Sequence, residues 1–298
     1  MKQAIHVLGG HGFIGSHLAQ ALAHKGHIVT SGNRPEHGSA PRHPDFFLRV
    51  LSDHDWLVHA ASCSTPGSTA VNPMAEVEGN LRPLATLVEA MQSRPRSRLV
   101  YLSSAGTTYA DAPTGRPAEA DPQSPRSYHG AAKIAAEQFL RVLASASQCQ
   151  VVVIRPTNIY GPGQFPRPGF GLVSTALARC LDGSPLSVFG DGTSKRDYLF
   201  IDDFVALVMS ILATPYQTGF EVFNAAHGQG HTLLEVLEMA EKVTGRRLVR
   251  EFKPIRHVDA QCIVPDAGKA RERFGWRPHT SLADGMEKTW QWLRLTPG

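Results

Sequence analysis

Residues 124–140, SPRSYHGAAKIAAEQFL, contain side chains that could move protons. Apolar residues at three- and four-residue intervals predict a helix over 129–146. His129 stands four residues before Lys133 and shares its helix face, whereas Tyr128 stands five residues before it and does not. An imidazole in water titrates at about pH 6.5, closer to neutrality than a phenol. The types and spacing of these residues therefore suggest general acid–base chemistry.

A second group of residues could hold phosphates. The segment VLGGHGFIGSHL places three glycines between a predicted strand at 4–9 and a predicted helix at 16–26. Such glycines permit a tight turn, close approach of the backbone to a pyrophosphate, and close packing of helix on strand. The helix N-terminus adds N–H groups and the positive end of its dipole. The residues expected to contact a dinucleotide here are Gly9, Gly12, Phe13, Ile14 and Gly15.

The end of the second predicted strand bears on the choice of dinucleotide. NAD sites usually have an acidic residue there, which binds the ribose hydroxyls. This chain has Asn33 followed by Arg34, and a guanidinium would attract a 2′-phosphate. The cofactor expected from these residues is NAD(P), with a preference for NADP. The alternative is an NAD site in which Arg34 stacks on adenine or faces solvent.

Strand-like and helical patterns alternate through the first half of the chain, which is typical of a parallel sheet with helices on both faces. Further helical patterns occur at 74–92 and, less expectedly, at 45–55, where a third strand would otherwise fit. The remaining strand-like runs are 27–33, 55–61, 97–104 and 149–156. We therefore predict an α/β fold with a doubly wound parallel sheet.

Composition excludes several classes of protein. The net charge is +4, but Lys and Arg are scattered, so no nucleic-acid site is expected. No apolar run approaches the roughly 20 residues of a membrane helix, and the N-terminus has no signal-peptide pattern. The four cysteines are far apart, and His227 and His231 are separated by glycines, so no metal site is expected. We expect a soluble cytoplasmic protein with reduced thiols.

Ordered motifs along nearly the whole chain resemble the extended short-chain dehydrogenase/reductases, in particular the nucleotide-sugar epimerase/dehydratase group. Besides the glycine turn, the motifs are VHAAS (58–62), Asn80, YLSSAGTTYA (101–110), RPTNIYGPGQ (155–164), PLSVFGDGTSKRDYLFIDD (185–203), FNAAHGQGHTLLEV (223–236) and FGWRPHTSLADGMEKTWQWL (274–293). The resemblance implies a Rossmann-like domain over 1–165 that regains a strand and helix near 197–226. It also implies a smaller C-terminal α/β substrate-binding domain, mainly 166–298.

The family resemblance implies that bound NAD(P) takes a hydride from a sugar carbon while a tyrosinate takes the hydroxyl proton. The ketone formed is then reduced from the other face or undergoes elimination. Lys133 matches the family lysine, which also bonds the nicotinamide ribose. Further cofactor contacts are implied for His59, Ala60, Ala61 and Asn80.

Two positions depart from the family pattern. Pro-x-Ser-x-Tyr-Gly-x-x-Lys maps onto residues 125–133 with His129 in the tyrosine position. The usual third serine of the hydroxyl motif maps onto Ala105. The acid–base group could be His129, or Tyr128 if the first helical turn is distorted, and Ser104 or Thr107 could supply the hydroxyl. The alternatives are an altered lyase or isomerase chemistry, an NADPH-dependent reductase of a keto-sugar nucleotide, and a protein that only binds NAD(P) or another ligand.

The resemblance also implies contacts to a nucleotide diphosphate sugar. Asn158 matches a residue near the diphosphate and sugar, and Arg196 an arginine that binds the phosphates. Arg256 and Asp259 match a pair used on the diphosphate and the nucleoside ribose. Leu172 and Phe189 match positions that line the base pocket.

The helices predicted at 74–92 and 129–146 resemble the pair that forms a four-helix-bundle homodimer in this family. A homodimer is therefore expected. The apolar residues that could lie at its interface, or equally in the core, are Val77, Leu81, Leu84 and Val88.

Overall fold

Strands and helices alternate along most of the chain. The computed structural model describes residues 2–32, 44–65, 72–109, 115–167, 169–256 and 259–296. The strands are β1 (Ala4–Leu8), β2 (Ile28–Gly32), β3 (Trp56–His59), β4 (Arg98–Leu102), β5 (Gln150–Pro156), β6 (Asn158–Tyr160), β7 (Leu186–Phe189), β8 (Lys195–Phe200), β9 (Gly219–Ala225), β10 (Gly230–Thr232), β11 (Arg250–Lys253) and β12 (Cys262–Ile263). The helices are α1 (Phe13–His24), α2 (Asp45–Asp53), α3 (Pro73–Glu76), a π-helical segment (Val77–Leu81), α4 (Arg82–Gln92), α5 (Ala105–Thr108), α6 (Tyr128–Ala146), α7 (Leu172–Asp182), α8 (Ile201–Leu212), α9 (Leu233–Thr244), α10 (Gly268–Phe274) and α11 (Leu282–Leu295).

The large sheet has the strand order β2-β1-β3-β4-β5-β9. β1 pairs in parallel with both β2 and β3, and β4 pairs in parallel with β3 and β5. The chain therefore winds outward from β1 in one direction and from β3 in the other. In such sheets ligands bind beyond the carboxyl ends of the strands where the order reverses. The prediction of a Rossmann-like, doubly wound parallel sheet is confirmed.

The core of this sheet follows from its continuous apolar strands. Strands buried on both faces must be covered by helices on both sides, and all seven residues of β5 are buried. The helix predicted at 45–55 is confirmed as α2, which buries Phe47 and Val50. Leu84 of α4 is buried in the same cluster, and Leu81 and Val88 pack against it.

The helical pattern predicted at 74–92 is interrupted in the structure. Between α3 and α4 the residues Val77–Leu81 form a π-helical turn. Pro83 is the second residue of α4, and a proline lacks the N–H that an α-helix would bond to the carbonyl of Gly79. A π turn absorbs such a defect within an otherwise continuous helix. Its consequence is a change of register for the residues before it, including Glu76.

A buried ionic cluster fixes α6 to the sheet. The carboxylate of Glu137 accepts hydrogen bonds from Arg155 Nε at 3.0 Å and from Arg155 Nη2 at 2.5 Å. The Ser103 hydroxyl donates to the same carboxylate at 2.5 Å. All three residues are at most 5% exposed. Because a buried carboxylate is stable only when paired and hydrogen-bonded, this cluster holds α6 against the ends of β4 and β5.

The chain divides into two compact units. The first contains Met1–Ser104, Ser127–Arg155 and Val205–Phe223, and the second contains Ala105–Arg126, Pro156–Phe204 and Asn224–Gly298. In the second unit β8 pairs antiparallel with β10 and parallel with β6 and β12. A separate parallel pair joins β7 to β11.

Candidate functional site

The glycine turn after β1 has the geometry that a dinucleotide requires. Gly9 has φ +88°, and a Cβ built on it would lie 2.7 Å from the Ala61 nitrogen. A Cβ on Gly15 would lie 2.1 Å from the Gly9 carbonyl oxygen, so only glycine lets α1 pack this closely. Gly12 caps α1 without a side-chain hydrogen bond, and the first turn has no acidic residue. The turn therefore leaves a narrow, uncrowded helix N-terminus that fits a pyrophosphate.

Other proposed cofactor residues that the structure describes lie at the start of α1 and at the end of β3. Phe13 and Ile14 open α1 and are partly exposed. Ala60 and Ala61 follow β3, and the Ala60 nitrogen donates to the Leu8 carbonyl at 2.9 Å. His59 is buried, with its ring 5.3 Å from that of Tyr101. Asn33 and Arg34, on which the NADP preference depends, lie outside the described residues.

Helix α6 begins one residue earlier than the sequence predicted. Its first residue is Tyr128, and the Ser127 hydroxyl caps it by accepting a hydrogen bond from the Gly130 nitrogen at 3.1 Å. The Tyr128 side chain is 46% exposed. His129 and Lys133 are 6% and 7% exposed and lie one turn apart. The structure thus buries the imidazole with the lysine and leaves the phenol at the surface.

Lys133 is held at the end of β4. Its ammonium donates a hydrogen bond to the Leu102 carbonyl at 2.8 Å and one to the Tyr101 hydroxyl at 3.5 Å. The same nitrogen lies 4.9 Å from the centre of the Tyr101 ring, a cation–π distance. A buried ammonium needs such partners, and these contacts supply them for Lys133.

His129 contacts two residues that sequence reasoning missed. Its Nδ1 lies 3.0 Å from the Ser64 hydroxyl and 3.5 Å from a Glu76 carboxylate oxygen. Asn80 joins them, since its amide nitrogen donates to Ser64 Oγ at 2.9 Å and to Glu76 at 2.6 Å. The signal in the sequence was Glu76, an acidic residue four positions before Asn80. The π turn that follows Glu76 interrupts the regular helix spacing, so that spacing did not predict the approach of Glu76 and Asn80 to His129.

The candidate hydroxyls follow β4. Ser104 is half-buried, and Ala105 is fully buried at the start of α5. Ser103 is committed to Glu137, so it is not available to a substrate oxygen. Thr107 Oγ1 is buried without a hydrogen-bond partner among the described residues. Ser104 therefore remains the candidate nearest in sequence to the family position.

Three of the proposed substrate residues come together in the second unit. Arg256 donates two hydrogen bonds to the Asp259 carboxylate, at 2.9 Å and 2.8 Å. Its guanidinium carbon lies 4.2 Å from the centre of the Phe189 ring. Arg126, which sequence reasoning missed, donates to the Asp259 carbonyl at 3.1 Å. Planar guanidinium groups beside an aromatic ring suit a diphosphate and a base.

Arg196 belongs to the same neighbourhood. It donates to the Ala260 carbonyl at 2.6 Å and to the Lys195 carbonyl at 2.8 Å. Burial lowers the pKa of Arg196, an effect to which the charge of Arg256 adds. The Asp259 carboxylate acts in the opposite direction and raises the pKa of Arg196, and a bound anion would likewise favour the charged guanidinium.

The remaining substrate candidates are positioned by other elements. The exposed Asn158 side chain on β6 donates to the Asp197 carbonyl at 2.8 Å. Leu172 is the first residue of α7 and is partly buried. Neither is fixed by the Arg256–Asp259 pair.

Other site types are absent from the described residues. No cluster of three or more His, Cys, Asp or Glu side chains there could hold a metal ion, and the four cysteines are free thiols. Within those residues every helix falls short of the length or the apolar character needed to span a bilayer. The backbone nitrogen of His227 donates a hydrogen bond to the buried Asp197 carboxylate at 2.9 Å. This contact is consistent with a structural loop at His227.

Comparison with known proteins gives consistent results. A family model described as the NAD dependent epimerase/dehydratase family matches residues 5–226. A UDP-glucose 4-epimerase from Mycolicibacterium smegmatis is 29% identical over 97% of both chains. A dTDP-4-dehydro-6-deoxyglucose reductase from Escherichia coli is 25% identical over 96% of both.

A solved structure shares the fold over its whole length. The UDP-glucose 4-epimerase of Thermus thermophilus, determined in complex with NAD, has a TM-score of 0.88 and 27% sequence identity. The match covers 98% of this chain and 99% of that one.

Proposed function

This chain belongs to the NAD-dependent epimerase/dehydratase family, and from that premise we propose that it modifies a nucleotide diphosphate sugar by transient hydride transfer to and from a bound dinucleotide. The observation that carries the proposal is the buried His129–Lys133 pair on one face of α6. An imidazole replaces the phenol as the acid–base group in this reading. Epimerisation and dehydration both begin with the same oxidation, so both are included in the proposal.

The proposed roles follow from the groups present. When bound, the dinucleotide accepts and returns a hydride. His129 takes the proton of the sugar hydroxyl as the carbon is oxidised and returns it on reduction. Lys133 contributes a positive charge near the reacting oxygen, and Ser104 hydrogen-bonds that oxygen. Tyr128 is the alternative acid–base group, but its exposure and its place at the start of α6 favour His129.

The cofactor proposal rests on the glycine turn. Gly9, Gly12 and Gly15 with the first turn of α1 would hold the pyrophosphate, and Asn80 and Lys133 would lie toward the nicotinamide end. NAD is the cofactor in the family description. A preference for NADP stays a prediction from Asn33 and Arg34, and relative affinities for NADH and NADPH test it.

The substrate proposal rests on the arginines of the second unit. Arg196 and Arg256 would bind the diphosphate, and Asp259 the ribose. Phe189 and Leu172 would contact the base, and Asn158 would lie near the diphosphate and sugar. The pairing of Arg256 with Asp259 over the Phe189 ring supports this assignment, because it holds a planar donor in a fixed orientation.

The test is an assay with UDP-, dTDP- and GDP-sugars in the presence of NAD or NADP. The proposal predicts conversion without net consumption of the dinucleotide. It also predicts loss of turnover in both His129→Ala and Lys133→Ala, with His129→Ala still binding the dinucleotide. Full turnover in His129→Ala would reject this histidine as the acid–base group.

A second candidate is a reductase of a keto-sugar nucleotide. Similarity to the dTDP-4-dehydro-6-deoxyglucose reductase favours it. This activity would consume NADPH or NADH in equal amount with product, which the epimerase and dehydratase reactions do not. A third reading is a protein that binds dinucleotide without turnover, which the same assay would reveal.

A further inference from the structure

A buried carboxylate lies beside the proposed acid–base group. Glu76 is 2% exposed, and its Oε1 is 3.5 Å from Nδ1 of His129. Glu76 is the last residue of α3, directly before the π turn. Removing a carboxylate from water costs several kcal/mol unless partners compensate it. An apolar residue would pack there without that cost, so the position points to a role in the site.

Asn80 fixes the orientation of this carboxylate. Its Oδ1 accepts a hydrogen bond from the Cys63 nitrogen at 3.2 Å, which sets the amide the right way round. Its nitrogen can then donate to Glu76 Oε2 at 2.6 Å and to Ser64 Oγ at 2.9 Å. The reversed amide would place an oxygen against the carboxylate. The π turn thus supplies a residue that aligns both neighbours of the imidazole.

Both contacts to His129 are made to the same ring nitrogen. Ser64 Oγ lies 3.0 Å from Nδ1, and Glu76 Oε1 is the second neighbour of that atom. An ionised carboxylate only accepts hydrogen bonds, so it favours a hydrogen on Nδ1. The neutral ring then carries its lone pair on Nε2. The Ser64 hydroxyl can either donate to Nδ1 or accept from it, so the carboxylate, which only accepts, is the contact that selects the position of the hydrogen.

We propose that Glu76 is a positioning residue for His129. It holds the imidazole, with Ser64 and Asn80, in the tautomer whose Nε2 exchanges the proton. The inference rests on the proposed function, in which the sugar O–H bond breaks and an N–H bond forms at Nε2 as the hydride leaves the carbon. The imidazolium formed is then stabilised by the Glu76 carboxylate, which keeps its own ionisation state. Among the described residues, Glu76 on α3 brings a carboxylate to Nδ1 of His129, and Lys133 lies one turn along α6.

The tautomer can be measured without any turnover. In protein labelled with ¹⁵N-histidine, the signals of His129 are those lost in His129→Asn. At neutral pH the wild type is expected to show the hydrogen on Nδ1. The chain has 14 histidines, so the difference between the two spectra makes the assignment. A wild-type His129 with its hydrogen on Nε2 would overturn the inference, whatever the enzyme assay gives.

Kinetics test the same point in the active protein. Glu76→Gln keeps the size of the side chain and removes its charge, and it is expected to lower kcat about 10- to 100-fold with little change in KM. Its His129 is expected to populate both tautomers. Glu76→Asp restores the charge on a shorter side chain and should recover part of kcat. If Glu76→Gln unfolds, Ser64→Ala provides the second variant, and its loss of kcat is expected to be smaller.

Glu78→Gln is the matched control. It makes the same chemical change two residues along, at a side chain that is 46% exposed and paired with Arg82. Its kcat and the His129 tautomer are expected to equal those of the wild type. Wild-type kcat and an unchanged tautomer in folded Glu76→Gln would overturn the inference. Lack of turnover by the wild type would contradict the proposed function alone, and the tautomer would still decide the role of Glu76.

Discussion

At the scale of single residues, the proposed function depends on position 129, where the resemblance to the family implies a tyrosine and this chain has His129. An imidazole and a phenol can both exchange a proton with a substrate hydroxyl, provided that each reaches it. Lys133 lies one turn away from position 129 on α6 and can act beside either ring. Under the proposed function, exchange of one ring for the other would preserve the type of chemistry and change the group that carries it.

This substitution gives a direct prediction. His129→Tyr is expected to retain about a tenth or more of wild-type kcat/KM, whereas His129→Phe, which cannot exchange a proton, should retain about 1% or less. Steady-state assays with the preferred nucleotide sugar measure both. Tyr128→Phe is the control and should stay near wild type, because that side chain is 46% exposed. Loss of activity in Tyr128→Phe but not in His129→Phe would assign the chemistry to the tyrosine.

A second residue, His6 on β1, makes stability depend on pH. Burial, with the nearby His54 as the smaller cause, lowers the pKa of His6 from 6.5 to about 4. Its Nδ1 lies 2.7 Å from the Thr30 hydroxyl, and its Nε2 has no hydrogen-bond partner among the described residues. A base whose pKa is lowered by folding stays neutral in the folded chain while the unfolded chain protonates. The stability that neutral His6 contributes is therefore complete above the pKa of the unfolded chain, 6.5. It is lost as the pH falls toward the pKa of the folded chain, about 4.

Urea unfolding at two pH values checks this expectation. Between about pH 7.5 and pH 5, His6 should account for a loss of about 1–2 kcal/mol in the free energy of unfolding. His6→Asn should be less stable at the higher pH but should lose less on acidification. His24→Asn, at an exposed position in the last turn of α1, is the control. Equal acid sensitivity of the wild type and His6→Asn would contradict the account.

At the scale of elements, the β1–α1 connection is the most constrained part of the first unit. A Cβ on Gly15 would lie 2.1 Å from the Gly9 carbonyl oxygen, whereas one on Gly12 would lie 3.3 Å from it. Gly15→Ala must therefore push α1 away from the turn, and Gly12→Ala needs only a small adjustment.

The predicted result is a graded loss of dinucleotide affinity. Gly15→Ala should raise the Kd for NADH about 100-fold or more, and Gly12→Ala by less, since each displaced donor to the pyrophosphate costs about 1–3 kcal/mol. Isothermal titration calorimetry of the two variants measures this. An unchanged Kd in folded Gly15→Ala would mean that the dinucleotide does not lie across this turn.

The helices and strands also show which features could be predicted from the sequence and which could not. Strands β1 to β5 and helices α1, α2 and α6 were predictable because their apolar patterns are local and strong, whereas strands β6 to β12 were not predicted from such patterns. The π turn was not predictable, because the effect of Pro83 on the turn before it depends on how α3 and α4 pack. The positions of His129 and Lys133 followed from helix spacing. Glu76 and Ser64 did not, because their approach to His129 joins segments distant in sequence.

At the scale of the whole molecule, we propose a homodimer formed through α4 and α6. Phe139 and Val142 on α6 are 52% and 66% exposed, and Val77 before α4 is 39% exposed. Leu84, by contrast, is buried within the chain. Exposed apolar side chains on α6 and on the π-helical segment that leads into α4 suit a four-helix interface.

Sedimentation velocity tests the oligomeric state. The wild type is expected to sediment as a dimer at micromolar concentration, and Val142→Glu as a monomer, because a charge at the interface would have to be buried. Leu295→Glu changes an 84% exposed residue of α11 and should leave the dimer intact. A monomeric wild type would reject the proposal.

All of the proposed chemistry requires that this chain bind a pyridine dinucleotide, and titration of the purified protein with NADH and with NADPH measures that most directly. The account predicts a saturable change in nicotinamide fluorescence with one site per chain for at least one of the two. Absence of saturable binding by both would contradict it, since no hydride acceptor would then be available beside Lys133.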